Sequence, residues 1–131
     1  MKLTHVRLLV DRFRECFVFY RDVIGLETSF PEHDGPYAEF NLGDDRHLGL
    51  FDRSLMDAAI GEAAGRARGA DVTALIFHVD DPDAEARRLR GLGVPLLAEP
   101  TDRPQWGERT VHVRDPDGNI VELYKDIPME G

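Results

Sequence analysis

Four of the five histidines, His5, His47, His78 and His112, and the glutamate Glu122 lie in stretches of alternating polar and apolar residues. Neutral imidazole and carboxylate are the usual N and O donors of a divalent transition metal. A surface that gathers them can hold such an ion. It can equally be the polar lining of a wet ligand cleft. Histidine also titrates near neutral pH, so His78, with Glu122 and Tyr124 nearby, offers metal-free acid–base catalysis. Nucleophilic chemistry has little support. Cys16 is the only cysteine, sits in an apolar helical stretch and reads as a buried, inert thiol. No Gly-x-Ser-x-Gly elbow, phosphate loop or dinucleotide fingerprint occurs.

These side chains need elements to aim them. Leu3 to Val10 alternates as a half-buried strand. Asp11 can cap a helix on which Phe13, Cys16, Phe17, Tyr20, Val23 and Ile24 recur, with Gly25 as its stop. Leu26 to Phe30 is a short strand, 31–36 a turn-rich loop holding His33, and Tyr37 to Leu42 and His47 to Phe51 a hairpin turning at Gly43-Asp44-Asp45. The second half repeats this order. Val72 to Val79 is a strand. Asp81-Pro82 starts a helix lined by Ala86, Leu89 and Leu92 and stopped by Gly93. Val94 to Ala98 is a short strand, and Pro100 to Gly107 a loop carrying Trp106. Thr110 to Arg114 and Ile120 to Tyr124 are strands joined by Asp115-Pro116-Asp117-Gly118-Asn119. The Ala- and Gly-rich stretch from Asp52 to Asp71 reads as a connector, with room for one short helix capped by Ser54.

The halves superpose as sequence. The segment from Thr4 to Asp11 matches Thr73 to Asp80, and His47 to Phe51 matches Ile120 to Tyr124. A repeated supersecondary unit is a strong fold signal. The expectation is an α+β chain, a single domain over 1–131. Two tandem βαβββ modules, at about 1–52 and 72–126 with a connector at 53–71, form an open barrel-like cleft. Strand parity then assigns faces. Val6, Leu8 and Val10, and Leu75, Phe77 and Val79, belong under the helices. His5, Arg7 and Leu9, and Ala74, Ile76 and His78, face the other way. Beside them fall His47, Gly49 and Phe51; Ile120, Glu122 and Tyr124; Tyr37, Glu39 and Asn41; and Thr110, His112 and Arg114.

The 131 residues include 25 Asp and Glu against 16 Lys and Arg, a net charge of −9. That argues against nucleic acid or an anionic membrane as partner. It suits a cationic ligand, and equally serves solubility alone. No apolar run approaches a membrane span and no leader is recognised, so a cytoplasmic protein is expected.

The opening His5-Val6 strand, the Phe17-Val18-Phe19-Tyr20 helix with Gly25, and Asp115 to Leu123 near the end resemble the vicinal oxygen chelate superfamily. That group includes glyoxalase I, extradiol dioxygenases, fosfomycin-resistance enzymes and bleomycin-resistance proteins. The resemblance covers nearly the whole chain and implies paired βαβββ modules, usually within a homodimer. In metal-dependent members it implies ligands at positions that here hold His5, Gly49, Ala74 and Glu122. Only His5 and Glu122 carry donors, an incomplete set. His47 lies two residues along its strand from Gly49, a shift of roughly 6–7 Å, and His78 lies further from Ala74. A metal would therefore have to relocate. Pro104 to Arg109 resembles the Pro-Trp-Gly-type loop of binding-type members. Trp106 can stack on a planar or cationic ligand, beside Phe51, Tyr124 and Tyr37, or can simply pin the loop.

Two functions stay open. One is a binding protein that sequesters a small, aromatic or cationic molecule without an intact metal site, using His47, Phe51, His78, Trp106, His112, Arg114 and Tyr124. The other is a metal-dependent lyase, isomerase or dioxygenase on a relocated His/Glu site, with a divalent metal as cofactor.

Overall fold

The structure, a computed structural model, describes residues 2–30, 34–54, 73–104 and 106–129. The chain divides into two compact units, Met1–Gly69 and Ala70–Gly131. The first contains β1 (His5–Val10), α1 (Phe13–Val18), β2 (Glu27–Phe30), β3 (Tyr37–Gly43) and β4 (Arg46–Asp52). The second contains β5 (Ala74–His78), α2 (Pro82–Gly91), β6 (Leu96–Arg103), β7 (Glu108–Arg114) and β8 (Ile120–Asp126). Each forms one four-stranded sheet, ordered β1-β4-β3-β2 and β5-β8-β7-β6. The two orders are the same, so the repeat read from the sequence is a repeat of topology. In each sheet the first strand lies parallel to the last, and the other pairs are antiparallel.

The helical face of each sheet carries the core. In the first unit Phe13, Cys16, Phe17, Phe19 and Tyr20 are buried, as are Leu8, Val10, Ala38, Phe40, Leu48 and Leu50. Phe40 meets Phe17 at 5.5 Å and Tyr20 at 6.2 Å between ring centroids. Leu8 and Val10 are buried, as the parity assigned to β1 expects, whereas Val6, expected on the same buried face, is 42% exposed at the start of the strand. In the second unit Ala86 and Leu89 share the core with Val111, Val113, Val121 and Leu123. Burial of this face fixes the direction of the other one, because a slip of one residue would turn every core side chain outward.

Several local readings change. The first helix does not run through as one α-helix: Phe19–Ile24 is π-helical and ends at Gly25, whose φ is +87°. The wider turn buries the consecutive aromatics Phe19 and Tyr20 together. Asp11 is not its cap. Arg12 holds the N-cap position without a side-chain hydrogen bond, and Arg53 Nε lies 3.4 Å from the Asp11 carboxylate. Asp81 does cap α2, accepting from the N–H groups of Asp83 and Ala84, with Pro82 following. The segment assigned to a loop from Pro100 is strand as far as Arg103. Register shifts between Leu96 and Thr101 accommodate the proline, and pairing then resumes at Thr101↔Thr110. At the connector, Asp52 Oδ1 accepts from the N–H and hydroxyl of Ser54, so Asp52 takes the capping part assigned to Ser54. The short connector helix beyond it, the His33 loop and Gln105 lie outside the described residues.

Candidate functional site

On the first sheet the face away from the helix carries a cluster of three donors. Parallel pairing of β1 with β4 sets His5 opposite His47 and Arg7 opposite Gly49. Antiparallel pairing of β3 with β4 sets Glu39 opposite Gly49 and Asn41 opposite His47. The carboxylate of Glu39 thus stands beside the position where Gly49 has no side chain. One ligating atom from each of His5, Glu39 and His47 lies within 4.8 Å of the others. His5 Nε2 is 2.6 Å from Glu39 Oε1, and His47 Nδ1 is 3.9 Å from the same oxygen. The two imidazoles stack at 4.9 Å with 23° between their planes.

Neighbouring hydroxyls hold these groups. Thr4 Oγ1 lies 2.8 Å from His5 Nδ1, which turns Nε2 toward Glu39. With the proton on Nδ1, the Nε2 lone pair is free for an ion; with it on Nε2, the ring donates to Glu39. Tyr37 donates its hydroxyl to Glu39 Oε1 at 3.2 Å, and Ser29 Oγ is 3.4 Å from Oε2. The Tyr37 hydroxyl is pushed above its ordinary pKa, chiefly by burial, against a hydrogen bond from Arg7 that pulls it down.

The donors fit a divalent metal in type: two imidazoles and one carboxylate, leaving positions open for a ligand. They also fit approximately in distance. Ligand bonds of about 2.1 Å place donor atoms roughly 3.0–3.5 Å apart at octahedral or tetrahedral angles. The two separations to Glu39 Oε1, 2.6 and 3.9 Å, bracket that range.

On the matching face of the second sheet, β7 and β8 set His112 opposite Glu122, with His112 Nε2 2.9 Å from Glu122 Oε1. Both are largely enclosed, their side chains 15% and 8% exposed. Glu108, on the same face, is held above the usual carboxylate range by burial first, then by the charges of Glu122 and Asp126. His78 packs edge-on against Tyr124 at 5.2 Å. Arg114 donates to the Gly118 carbonyl. Trp106 is 53% exposed and has the Arg103 guanidinium 5.3 Å from its ring.

The sequence-assigned residues therefore sort into separate groups. His5 and His47 come together on the first sheet, His112 and Glu122 on the second. Phe51 lies against Tyr37 and Arg7. Glu39 carried no assigned role. Its place follows from the strand pairing, in which Glu39 faces Gly49 as His112 faces Glu122. Each third strand thus places one donor type beside the last strand.

Comparison with known proteins agrees with this architecture. The model of the Glyoxalase/Bleomycin resistance protein/Dioxygenase superfamily matches residues 2–123. A Bacillus subtilis (strain 168) relative, named "Uncharacterized protein YraH", is 36% identical over 127 residues, covering 95% of this chain and 98% of that one. The crystal structure of a lactoylglutathione lyase from Agrobacterium tumefaciens is similar with a TM-score of 0.72 at 28% identity, over 94% of this chain and 92% of that one. A superfamily structure from Nocardioides has a TM-score of 0.76 at 23% identity, over 97% of this chain and 84% of that one. The chain belongs to the glyoxalase/bleomycin resistance protein/dioxygenase superfamily.

Proposed function

We propose that this chain binds a divalent transition metal through His5, Glu39 and His47, and with it a small oxygen-bearing molecule on which it acts as a lyase, isomerase or dioxygenase. The observation that carries this reading is the approach of the three ligating atoms to within 4.8 Å of one another. It favours the relocated-metal alternative over a metal-free binding protein. The displacement is across strands, from the empty Gly49 position on β4 to Glu39 on β3. When bound, such an ion supplies a Lewis acid for ligand oxygens. The chain's own residues do the rest. Thr4 orients His5, Tyr37 and Ser29 orient Glu39, and the aromatic rings of Tyr37 and Phe51 offer an apolar flank. The name of the Agrobacterium relative supports an enzymatic over a sequestering role.

One observation favours the second reading, metal-free binding. His5 and Glu39 already satisfy each other at 2.6 Å. Metal analysis of purified protein separates the two. The metal reading expects about one Zn²⁺ or Co²⁺ per chain after loading and dialysis, reduced at least tenfold in Glu39→Ala. Wild-type protein that holds no more metal than Glu39→Ala would sink it. Loss in Glu122→Gln with retention in Glu39→Ala would return the site to the positions implied by the resemblance.

A further inference from the structure

The residue beside this cluster with no part in it so far is Arg7. It lies two positions along β1 from His5, roughly 6–7 Å away and on the same face. Its guanidinium carbon sits 5.1 Å from the Tyr37 ring centre and 5.7 Å from that of Phe51. Those rings pack edge to face at 6.1 Å. Arg7 also hydrogen-bonds the Tyr37 hydroxyl, which in turn donates to Glu39. Among the described residues no carboxylate pairs with Arg7, whereas Arg21, Arg88, Arg90 and Arg109 each have one. In a chain of net charge −9, Arg7 is thus held against two rings and left without a carboxylate.

Gly49 makes this arrangement possible. A Cβ at position 49 would lie 3.0 Å from Arg7 Cγ and 3.2 Å from the Tyr37 hydroxyl. The glycine that empties the family's ligand position is also what gives the Arg7 stem its place.

We propose that Arg7 is an anion-recognition residue, and that the ligand of this face carries a carboxylate as well as the oxygens that would meet the His5–Glu39–His47 cluster. This deepens the metal reading and rests on it only for where the ligand's other end lies. A guanidinium presents paired N–H donors to a carboxylate, and the rings on one side hold it by cation–π contact without neutralising it, while Arg7 remains exposed to an incoming ligand. The ligand class is a small carboxylate, planar enough to lie along Tyr37 and Phe51, with oxygens roughly 6–7 Å from its acid group. The same residues would discriminate against a neutral analogue, whose polar group leaves Arg7 unpaired.

The test uses the full chain, ¹⁵N-labelled and metal-free, titrated with benzoate and with its neutral counterpart benzamide. Shifts of the Arg7 Nε–H and Gly49 N–H signals are the readout. Benzoate is expected to bind at least about tenfold tighter than benzamide. The preference should vanish in Arg7→Gln, survive in part in Arg7→Lys and weaken in Gly49→Ala. Equal binding of the two probes, or a benzoate preference that persists in Arg7→Gln, overturns the proposal. A parallel arm with Co²⁺ compares 3,4-dihydroxybenzoate with catechol. Absence of cobalt binding there removes the metal reading alone, because the benzoate arm needs no metal.

Discussion

Glu39 takes a hydrogen bond from Tyr37, has His5 Nε2 2.6 Å from Oε1 and lies within reach of Ser29, so its position depends on three other side chains. His5 in turn depends on Thr4, whose hydroxyl is 2.8 Å from Nδ1. Groups that orient a ligating imidazole are worth about 10–100-fold in metal affinity. Thr4→Val is therefore expected to weaken Co²⁺ binding about tenfold, read by competition against a chromophoric chelator. Unchanged affinity would mean that His5 is not a ligand through Nε2. Strand alternation had placed His5, His47 and Glu39 on one face. Their convergence was not legible, because it depends on cross-strand register, and two strands of known parity can pair at several offsets. Gly49 was legible as a missing donor but not as space for Arg7, which takes the coordinates of three strands.

At the scale of elements, two aspartates close the turns that frame the second sheet. Asp81 caps α2 through two backbone N–H groups. Its replacement by Ala is expected to cost about 1 kcal/mol, measured by urea denaturation. Asp115 is only 4% exposed and accepts from the N–H groups of Asp117 and Asn119 and from the Asn119 side chain. Asp115→Ala removes a buried acceptor from three part-buried donors, so a loss of about 2–3 kcal/mol is expected. Equal midpoints for the two variants would contradict the difference in burial. Both features were legible, since Asp-Pro at a helix start and Asp-Pro-Asp-Gly-Asn in a hairpin act through local hydrogen bonds. The π-helical end of the first helix and the shifted register of β6 were not. Each answers to packing and pairing against strands distant in sequence, at Phe40 and at Thr110.

For the whole molecule, the acidic excess has a local cost at Glu108. Its pKa stands above the ordinary carboxylate value because burial and the charges of Glu122 and Asp126 disfavour ionisation. A raised folded-state pKa means the folded protein holds that proton more tightly than the unfolded chain. This contribution to stability is present at low pH and lost as pH rises from about 4.3 through the folded value. Glu108→Gln should raise Tm by about 1–2 °C at pH 7 and by less at pH 4; the reverse order would contradict the assignment. Each sheet also ends on a strand, β1 or β5, with one side unpaired among the described residues, and Val6 and Ile76 there are 42% and 55% exposed. Edges of this kind invite cover, and light scattering is expected to find a homodimer; a monomer at micromolar concentration would exclude that.

The most direct measurement is anomalous diffraction from crystals of the full chain grown with Co²⁺. The account expects a single strong peak about 2.0–2.2 Å from a nitrogen of His5, a nitrogen of His47 and an oxygen of Glu39. A peak bound instead by Glu122, or crystals without any peak on the first sheet, would contradict it.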